Sequence, residues 1–428
     1  MNSVCKIACL VFAVFLVSSC ELKMKNKELI ESSDKTTAKD ILGNPGFPAI
    51  SYGGYRHKTR DIQPTLDELK EDMRLLFAMG VRVLRTYNVK LPQASNILRA
   101  IHELKQENSR FEMYVMLGAW IDCKNAWGEN TPNHNEESPE NEAEIKRAVF
   151  LANQYPDIVK IIAVGNEAMV KWASAYYVQP DVILKWVNYI QDLKKNGKLS
   201  NEIWVTSSDN FASWGGGSEE YHVDALKELI GAVDYISMHT YPMHDTHYNP
   251  AFWGVLPSED TLTKKVRIQR AMERARDYAI GQYQAVKTFV ESLGLNKPIH
   301  IGETGWSSAS NEFYGPDGTR ATDEYKEGLY YHLIREWSQQ QGVSCFYFEA
   351  IDEPWKDAQN PGGSENHFGL FTATGMAKYA LWSMVDEGIF DGLTRAGNPI
   401  VKTYKGMEDS LLNEVLIPPT LDTVAISK

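Results

Sequence analysis

Two glutamates in this chain follow apolar stretches that are typical of buried strands. Glu303 comes after residues 298–301 and Gly302, with a second glycine two residues later, and Glu167 comes after residues 159–164 and a further glycine. Burying a carboxylate costs free energy unless the group is paired or used. Each glutamate is therefore a candidate catalytic group. The alternative for either one is a helix cap or a structural ion pair.

The segments around these glutamates alternate between strand and helix patterns. We predict strands at residues 49–56, 81–88, 112–120, 159–167, 202–210, 234–242, 298–303 and 343–352. We predict helices at residues 65–80, 94–108, 141–156, 181–196, 221–232, 264–294, 322–341 and 376–385. Thr65 and Glu68 have the spacing of a capping box at the start of the first helix.

Eight strand–helix repeats predict an α/β fold, a closed (β/α)8 TIM barrel with a parallel sheet. A doubly wound open sheet is the alternative. That fold normally carries a glycine-rich phosphate loop, and neither GxGxxG nor GxxxxGK[ST] occurs in the sequence. In the barrel, the carboxyl ends of the strands converge on one face, where activity resides. Glu167 ends the fourth strand and Glu303 the seventh, so we expect them to face each other.

A pair of carboxyl groups at this face suits glycoside cleavage by double displacement. One attacks the anomeric carbon and the other protonates the leaving oxygen, over a separation of about 5–5.5 Å. Their proximity raises one pKa, so that the acid stays protonated. We expect Arg85 and Tyr241 to keep Glu303 ionised, Asn166 to bind a sugar 2-hydroxyl, and Trp306 to form a wall beside the sugar.

Four motifs in this order resemble glycoside hydrolase family seventeen of clan A. They are Leu84-Arg85-Thr86-Tyr87, Val164-Gly165-Asn166-Glu167, Gly302-Glu303-Thr304-Gly305-Trp306 and Ile351-Asp352-Glu353-Pro354-Trp355-Lys356. The resemblance covers about residues 49–385 and implies a β-1,3-glucanase or a β-1,3-glucanosyltransferase. It implies Glu167 as acid/base and Glu303 as nucleophile. It further implies site positions at Tyr87, Asn166, Glu353 and Lys356.

Three segments depart from what we expect of plant members of that family. They are residues 121–140, 213–219 and 243–262, all on the predicted mouth side. They leave endo action, exo action and chain transfer open. The primary expectation is retaining hydrolysis of laminarin-type β-1,3-glucan, and the alternative is transfer that remodels glucan chains.

Composition limits the partners. The net charge of −12 and the pI near 5.4 disfavour nucleic acid. No motif calls for a cofactor, and we expect a monomer that binds a β-glucan poly- or oligosaccharide. Two competing hypotheses are a metal enzyme using His239, His244, Asp245 and His247, and a glucan-binding lipoprotein without turnover.

The N-terminus predicts export. Residues 1–19 have the pattern of a lipoprotein signal peptide, and the ending at residues 17–20 resembles a bacterial lipobox with Cys20 as the lipidated residue. An ordinary secretory peptide is the alternative. We expect a membrane anchor facing periplasm or cell surface, a flexible tether at residues 20–40, a catalytic domain at 41–390 and a packed C-terminal extension at 391–428. The two remaining cysteines, Cys123 and Cys345, are expected to be buried thiols.

Overall fold

The computed structural model describes residues 36–421. The predicted signal peptide, Cys20 and all but the last residues of the predicted tether lie outside the described residues. By its contacts the chain divides into Met1–Thr37 and a compact unit, Ala38–Lys428, that contains the barrel. Among residues 36–421, no helix combines the length and the apolar character that a membrane span requires.

Eight parallel strands close into a barrel in the order β1-β8-β7-β6-β5-β4-β3-β2. The strands are β1 (Ala49–Ser51), β2 (Val83–Arg85), β3 (Tyr114–Ala119), β4 (Val159–Asn166), β5 (Trp204–Asn210), β6 (Ile236–His239), β7 (Ile299–Gly305) and β8 (Cys345–Phe348). Closure pairs β1 with both β2 and β8, for example through Ile50 opposite Leu84 and Tyr347. The predicted (β/α)8 TIM barrel is confirmed.

A helix follows each strand and packs on the outside of the barrel. The helices are α1 (Leu66–Ala78), α2 (Pro92–Glu107), α3 (Asn141–Gln154), α4 (Pro180–Lys195), α5 (Asp224–Ala232), α6 (Lys264–Ser292), α7 (Glu324–Gln340) and α8 (Trp382–Asp386). The predicted capping box of α1 is confirmed, since Thr65 and Glu68 exchange side-chain-to-backbone hydrogen bonds. The last helix begins later than predicted, with a 3-10 turn at Tyr379–Leu381 in front of it.

Strand alternation separates two apolar layers. Val83, Met116, Ile161 and Ala163 belong to a cluster inside the barrel, which also contains Ile41. Residues at the intervening positions, such as Leu84 and Ile162, join the larger cluster between strands and helices. Above this largely apolar lower interior, Glu167 and Glu303 come at the carboxyl ends of β4 and β7.

The departing segments contain structure that the sequence patterns did not predict. The insertion forms a hairpin of Cys123–Lys124 and Asn133–Glu137, and a short helix at Pro242–Tyr248 follows β6. The glycine-rich segment at residues 213–219 overlaps a helical turn at Ala212–Gly216 that is kinked at Trp214 and Gly215. The tether boundary is also earlier than predicted, because Ala38–Ile41 is helical and its two apolar residues are buried.

The C-terminal extension contacts the barrel unit at several points. Arg395 reaches the buried Asp72 of α1, and Glu408 pairs with Lys265 of α6. The end of the described chain is hydrogen-bonded as well, since the Leu421 N–H donates to the Val255 carbonyl at 2.7 Å. Within the described residues, the extension is therefore bonded to the rest of the unit as far as residue 421.

Candidate active site

Irregularities in β4 and β7 turn the two glutamates toward the barrel axis. On β7, Ile299 and Ile301 face the outer helices, so regular alternation would send Glu303 outward too. The pairing register with β6 shifts between Ile301 and Glu303, which places the extra residue, Gly302, in a bulge. A Cβ at Gly302 would lie only 2.0 Å from the Ser237 hydroxyl oxygen, so no larger residue fits without rearrangement.

The end of β4 uses a second glycine in the same way. Gly165 has a φ of +83°, and the register with β5 shifts between Ala163 and Asn166. Glu167 itself has a φ of +46°, a conformation that non-glycine residues adopt infrequently. Its N–H donates to the Ser208 carbonyl of β5 at 2.9 Å, which holds the turn. The carboxylate of Glu167 therefore points into the mouth, where its side chain is 16% exposed.

Three donors surround the Glu303 carboxylate. The Arg85 guanidinium contacts Oε2, the Tyr87 hydroxyl donates to Oε2 at 2.8 Å, and the Tyr241 hydroxyl donates to Oε1 at 2.6 Å. Burial acts to raise the pKa of Glu303, but Arg85, His239 and the two tyrosine hydrogen bonds outweigh it and lower the pKa to about 2. Glu303 is thus ionised throughout the pH range in which a nucleophile is needed.

Glu167 has the opposite electrostatic environment. Burial is the largest influence and the negative charge of Glu303 the next, and together they raise the pKa of Glu167 to about 8. A carboxylate oxygen of Glu167 and one of Glu303 lie within 4.8 Å of each other. At neutral pH the pair therefore holds one proton, on Glu167, which is the division of roles that an acid and a nucleophile require.

His239 connects the two glutamates and was not among the predicted substrate-binding or catalytic residues. Its Nδ1 lies 3.2 Å from Glu167 Oε1, and its Nε2 lies 3.3 Å from an Arg85 nitrogen and 2.7 Å from the Ser208 hydroxyl. Burial lowers the pKa of His239 to about 4, so the ring is neutral. Because Arg85 can only donate, Nε2 is the acceptor and Nδ1–H faces Glu167.

Asp209, at the end of β5, is a second residue that the sequence reasoning did not select. Its Oδ2 accepts from the Met169 N–H at 2.7 Å, which fixes the loop directly after Glu167. Burial raises the pKa of Asp209 to about 7. Its position among the strand-end residues was the only available signal, because its contacts depend on the course of the following loop.

Asn166, Glu353 and Lys356 lie around this centre. The Asn166 Oδ1 accepts from Arg85 at 2.5 Å. Glu353 is buried and accepts from the Tyr55 N–H at 3.0 Å, while Lys356 donates to the buried Glu349 at 2.8 Å. The Lys356 ammonium also lies 3.7 Å from the centre of the Phe348 ring.

Phe348 connects this ion cluster to the nucleophile. Its ring makes edge contacts with Tyr87 and Tyr241, at centroid distances of 6.4 and 6.2 Å. The Phe348 ring therefore contacts both Lys356 and the two tyrosines that donate hydrogen bonds to Glu303.

The predicted wall at Trp306 is wrong. Trp306 is 0% exposed and packs between Trp253 and Tyr330, with centroid distances of 5.5 and 5.1 Å. Its indole N–H donates to the Ala321 carbonyl at 2.8 Å. The side chain packs in the outer layer against β7 and offers no surface to a sugar, because the bulge at Gly302 shifts the alternation so that Glu303 faces inward and Trp306 outward.

The histidines proposed for a metal site do not converge. His244 stacks on Tyr241, Asp245 accepts from Tyr278 at 3.0 Å, and His247 stacks on Phe313. Within residues 36–421, the one group of three possible metal donors is Glu167, His239 and Glu303. The Arg85 guanidinium contacts both Glu303 and His239 there, so this donor set already has a cationic partner.

Comparison with known proteins assigns the chain to a family. Residues 49–369 match the BtgE/BtgC glycoside hydrolase domain, which is most of the chain. This chain belongs to the BtgE/BtgC glycoside hydrolase domain family. It is therefore a glycoside hydrolase, and the resemblance of its motifs to those of β-1,3-glucan hydrolases is confirmed.

Relatives of this family domain are named for β-1,3-glucan chemistry. A solved endo-laminarinase from Formosa Hel1_33_131 is 64% identical with a TM-score of 0.90, covering 90% of this chain and 98% of that one. A glucan 1,3-beta-glucosidase of Arthroderma benhamiae is 26% identical over 62% of this chain and 70% of that protein.

Two further proteins match this chain at lower identity, one in sequence and one in fold. The chain spans 43% of a putative glucan endo-1,3-beta-glucosidase btgC of Aspergillus niger, at 25% identity over 78% of this chain. A Rhizomucor miehei β-1,3-glucanosyltransferase, solved with laminaritriose, shares the fold at 22% identity and a TM-score of 0.52, covering 76% of this chain and 93% of that one.

Proposed function

We propose that this hydrolase cleaves β-1,3-linked glucan internally, with retention of anomeric configuration, through Glu303 as nucleophile and Glu167 as acid/base. The observation that carries the proposal is the carboxylate pair, with oxygens within 4.8 Å and pKa values displaced in opposite directions. Inverting enzymes need about 6.5–9.5 Å between the carboxyl groups to admit a water, whereas retaining enzymes need about 5–5.5 Å. The endo-laminarinase at 64% identity supports the substrate class and the internal cleavage.

In the first step, Glu303 attacks the anomeric carbon as the glycosidic C–O bond breaks. Glu167 gives its proton to the departing oxygen, so the leaving sugar departs as a neutral alcohol. The glucosyl unit remains as an ester on Glu303. Because the charge of Glu303 is then lost, the main cause that raised the pKa of Glu167 after burial disappears, and Glu167 is suited to act as a base.

In the second step, Glu167 removes a proton from water as the water oxygen attacks the anomeric carbon. The ester bond breaks and Glu303 regains its charge, which Arg85, Tyr87 and Tyr241 stabilise. If a sugar hydroxyl replaces water, the same step transfers the chain. Transfer is the second candidate outcome, and product analysis separates it from hydrolysis.

The polar rim suits a neutral sugar. Since the Asn166 carbonyl oxygen is held by Arg85, its amide N–H groups are the part that can meet a sugar hydroxyl, consistent with the predicted contact to the 2-hydroxyl. We assign Lys356 to positioning Tyr87 and Tyr241 through Phe348, and the buried Glu353 to orienting Trp355, whose indole N–H donates to it at 3.1 Å.

The direct test is digestion of linear β-1,3-glucan and of laminari-oligosaccharides of defined length. Internal cleavage predicts a rapid fall in chain length with mixed oligosaccharides, and larger products reveal transfer. Release of glucose alone from one end would contradict the proposed internal cleavage. The matched control is E303Q, which keeps the shape of the site and is expected to release no reducing sugar.

We also propose that the chain is exported, lipidated at Cys20 and monomeric. The lipobox-like residues 17–20 support the anchor, and they lie outside the described residues. Radiolabelled palmitate should enter the wild-type chain but not C20A, and C20A should leave the membrane fraction. Labelling of C20A would contradict lipidation at this residue. Light scattering of the chain that lacks residues before 36 measures its molecular mass and so tests whether it is a monomer.

A further inference from the structure

An aromatic surface adjoins the acid/base and belongs to none of the motifs described above. It consists of Trp127, which is 63% exposed, and Tyr176 beneath it. Their rings stack with centroids 4.8 Å apart and an interplanar angle of 20°. Trp120 supports both, at 5.2 Å from Tyr176 and 6.4 Å from Trp127. We call Trp127 and Tyr176 the aromatic platform.

The platform is built by two segments that clamp each other. Trp127 lies in the turn of the inserted hairpin, and Tyr176 lies in the loop between β4 and α4, which begins at the acid/base. The Cys123 N–H donates to the Tyr176 carbonyl at 3.0 Å, and His134 stacks on Tyr177 with centroids 3.6 Å apart. The hairpin is therefore attached to the loop on both of its strands.

The orientation of the indoles is also fixed. The indoles of Trp120 and Trp127 both lie close to Asp122 and partly offset the rise that burial causes in the pKa of its carboxyl group. Trp127 holds a φ of +61°, which is unusual for a bulky residue and aims its ring away from a regular strand direction. An exposed indole held this way has little side-chain entropy left to lose when a ligand binds.

The platform is continuous with the catalytic centre. The Val178 N–H, two residues after Tyr176, donates to the carbonyl of Ala168 at 2.7 Å, and Ala168 directly follows Glu167. Burial raises the pKa of Tyr176, and the nearby carboxyl groups of Glu167, Asp209 and Glu303 add to that rise in this order. Tyr176 is therefore on the acid/base side of the pair. The acid protonates the oxygen of the departing sugar, so this side of the scissile bond receives the leaving group.

We propose that Trp127 and Tyr176 form a binding subsite for glucosyl units on the leaving-group side of the scissile bond. The π face of an indole carries negative charge density, and the axial C–H bonds of a β-glucosyl ring present a weakly positive face to it. The occupant is the part of the β-1,3-glucan chain that leaves in the first step or enters as acceptor in the second. This inference rests on the proposed function and adds a length preference to it.

The test compares W127A with F150A, which removes a side chain of similar exposure, 65%, from the outer helix α3. For laminarihexaose we expect W127A to lower kcat/KM about tenfold, mainly through KM, as for truncation of a binding aromatic residue. F150A should leave kcat/KM for laminarihexaose unchanged, and W127F should retain most of the wild-type value. With 4-nitrophenyl β-laminaribioside, whose leaving group is short, W127A should match wild type within about twofold.

Two results would overturn the proposal. One is a kcat/KM of W127A on laminarihexaose equal to that of F150A. The other is an equal loss of kcat/KM on laminarihexaose and on the nitrophenyl substrate, which would place the platform on the opposite side of the scissile bond. Melting temperatures confirm that each variant folds.

Failure of the proposed function is distinguishable from failure of the platform. If wild type cleaves no β-1,3-glucan, the proposed function is wrong. The binding affinity for laminarihexaose, measured by calorimetry, then still tests whether the platform binds the chain. In the E303Q background, W127A should weaken that affinity about tenfold by the same reasoning, and unchanged affinity would refute the platform independently of turnover.

Discussion

Removing the Tyr241 hydroxyl should raise the pKa of Glu303 and move the acidic limb of the pH–rate profile upward. The hydroxyl donates to Glu303 Oε1 at 2.6 Å, whereas Oε2 accepts from both Arg85 and Tyr87. Y241F keeps the ring, which packs edge-on against Phe348 and Phe368. The substitution therefore removes one hydrogen bond from the charged form of Glu303 and little else.

The size of the shift follows from the strength of that bond. A hydrogen bond to a charged group contributes about 1.5–3 kcal/mol, and about 1.4 kcal/mol corresponds to one pKa unit. The pKa of Glu303, about 2 in the wild type, should therefore rise by about one to two units. Since only ionised Glu303 attacks, activity should be lost at a correspondingly higher pH as the solution is acidified.

The assay is kcat/KM for an aryl β-laminaribioside between pH 2.5 and 8, with stability checked at each pH. Y87F is the matched control, because Oε2 keeps its contact with Arg85 after that change. We expect the acidic limb of Y87F to move by less than about one unit. A shift in Y87F equal to or larger than that in Y241F, or no shift in either, would refute this account of how Glu303 stays ionised.

Three other perturbations give independent checks. E167Q should stabilise the protein increasingly from pH 4.5 to pH 8, by about 5 kcal/mol at most, because over this range the unfolded chain ionises Glu167 while the folded state, in which the pKa is raised to about 8, keeps it protonated; a pH-independent difference in chemical denaturation would contradict the raised pKa. D72N leaves the buried Arg56 and Arg395 without their shared partner and should cost about 3–5 kcal/mol, whereas D192N, in an exposed pair with Lys195, should change stability by less than about 0.5 kcal/mol; equal effects would show that burial is unimportant. Treatment with a chelator should leave the rate on laminarin unchanged, and a loss restored by added metal would revive a metal site at Glu167, His239 and Glu303.

The barrel and its two glutamates were predictable because each depends on local pattern. Short strand patterns, alternating with amphipathic helices, predict the closed parallel sheet, and the topology then brings the ends of β4 and β7 to one face. The positions of Glu167 and Glu303 did not require knowledge of any loop. Their catalytic roles remain predictions that the geometry supports.

Other parts of the site depend on backbone irregularities or on loops. The bulge at Gly302 restores Glu303 to the interior and sends Trp306 back to the outer layer, which a sequence pattern of period two does not reveal. Asp209 and His239 stood among the strand-end residues, but their roles depend on which neighbours they meet. The aromatic platform arises only because the hairpin packs on the loop after Glu167.

The most direct test of the central claim is covalent trapping of the nucleophile. A 2-deoxy-2-fluoro laminaribiosyl fluoride should form an ester with Glu303 that is hydrolysed slowly, because the fluorine destabilises the oxocarbenium-like transition state of both steps. Peptide mass spectrometry should then find the added disaccharide on the peptide containing Glu303. Attachment to another residue would contradict the assignment of the nucleophile, and no adduct together with an α-configured first product would contradict double displacement.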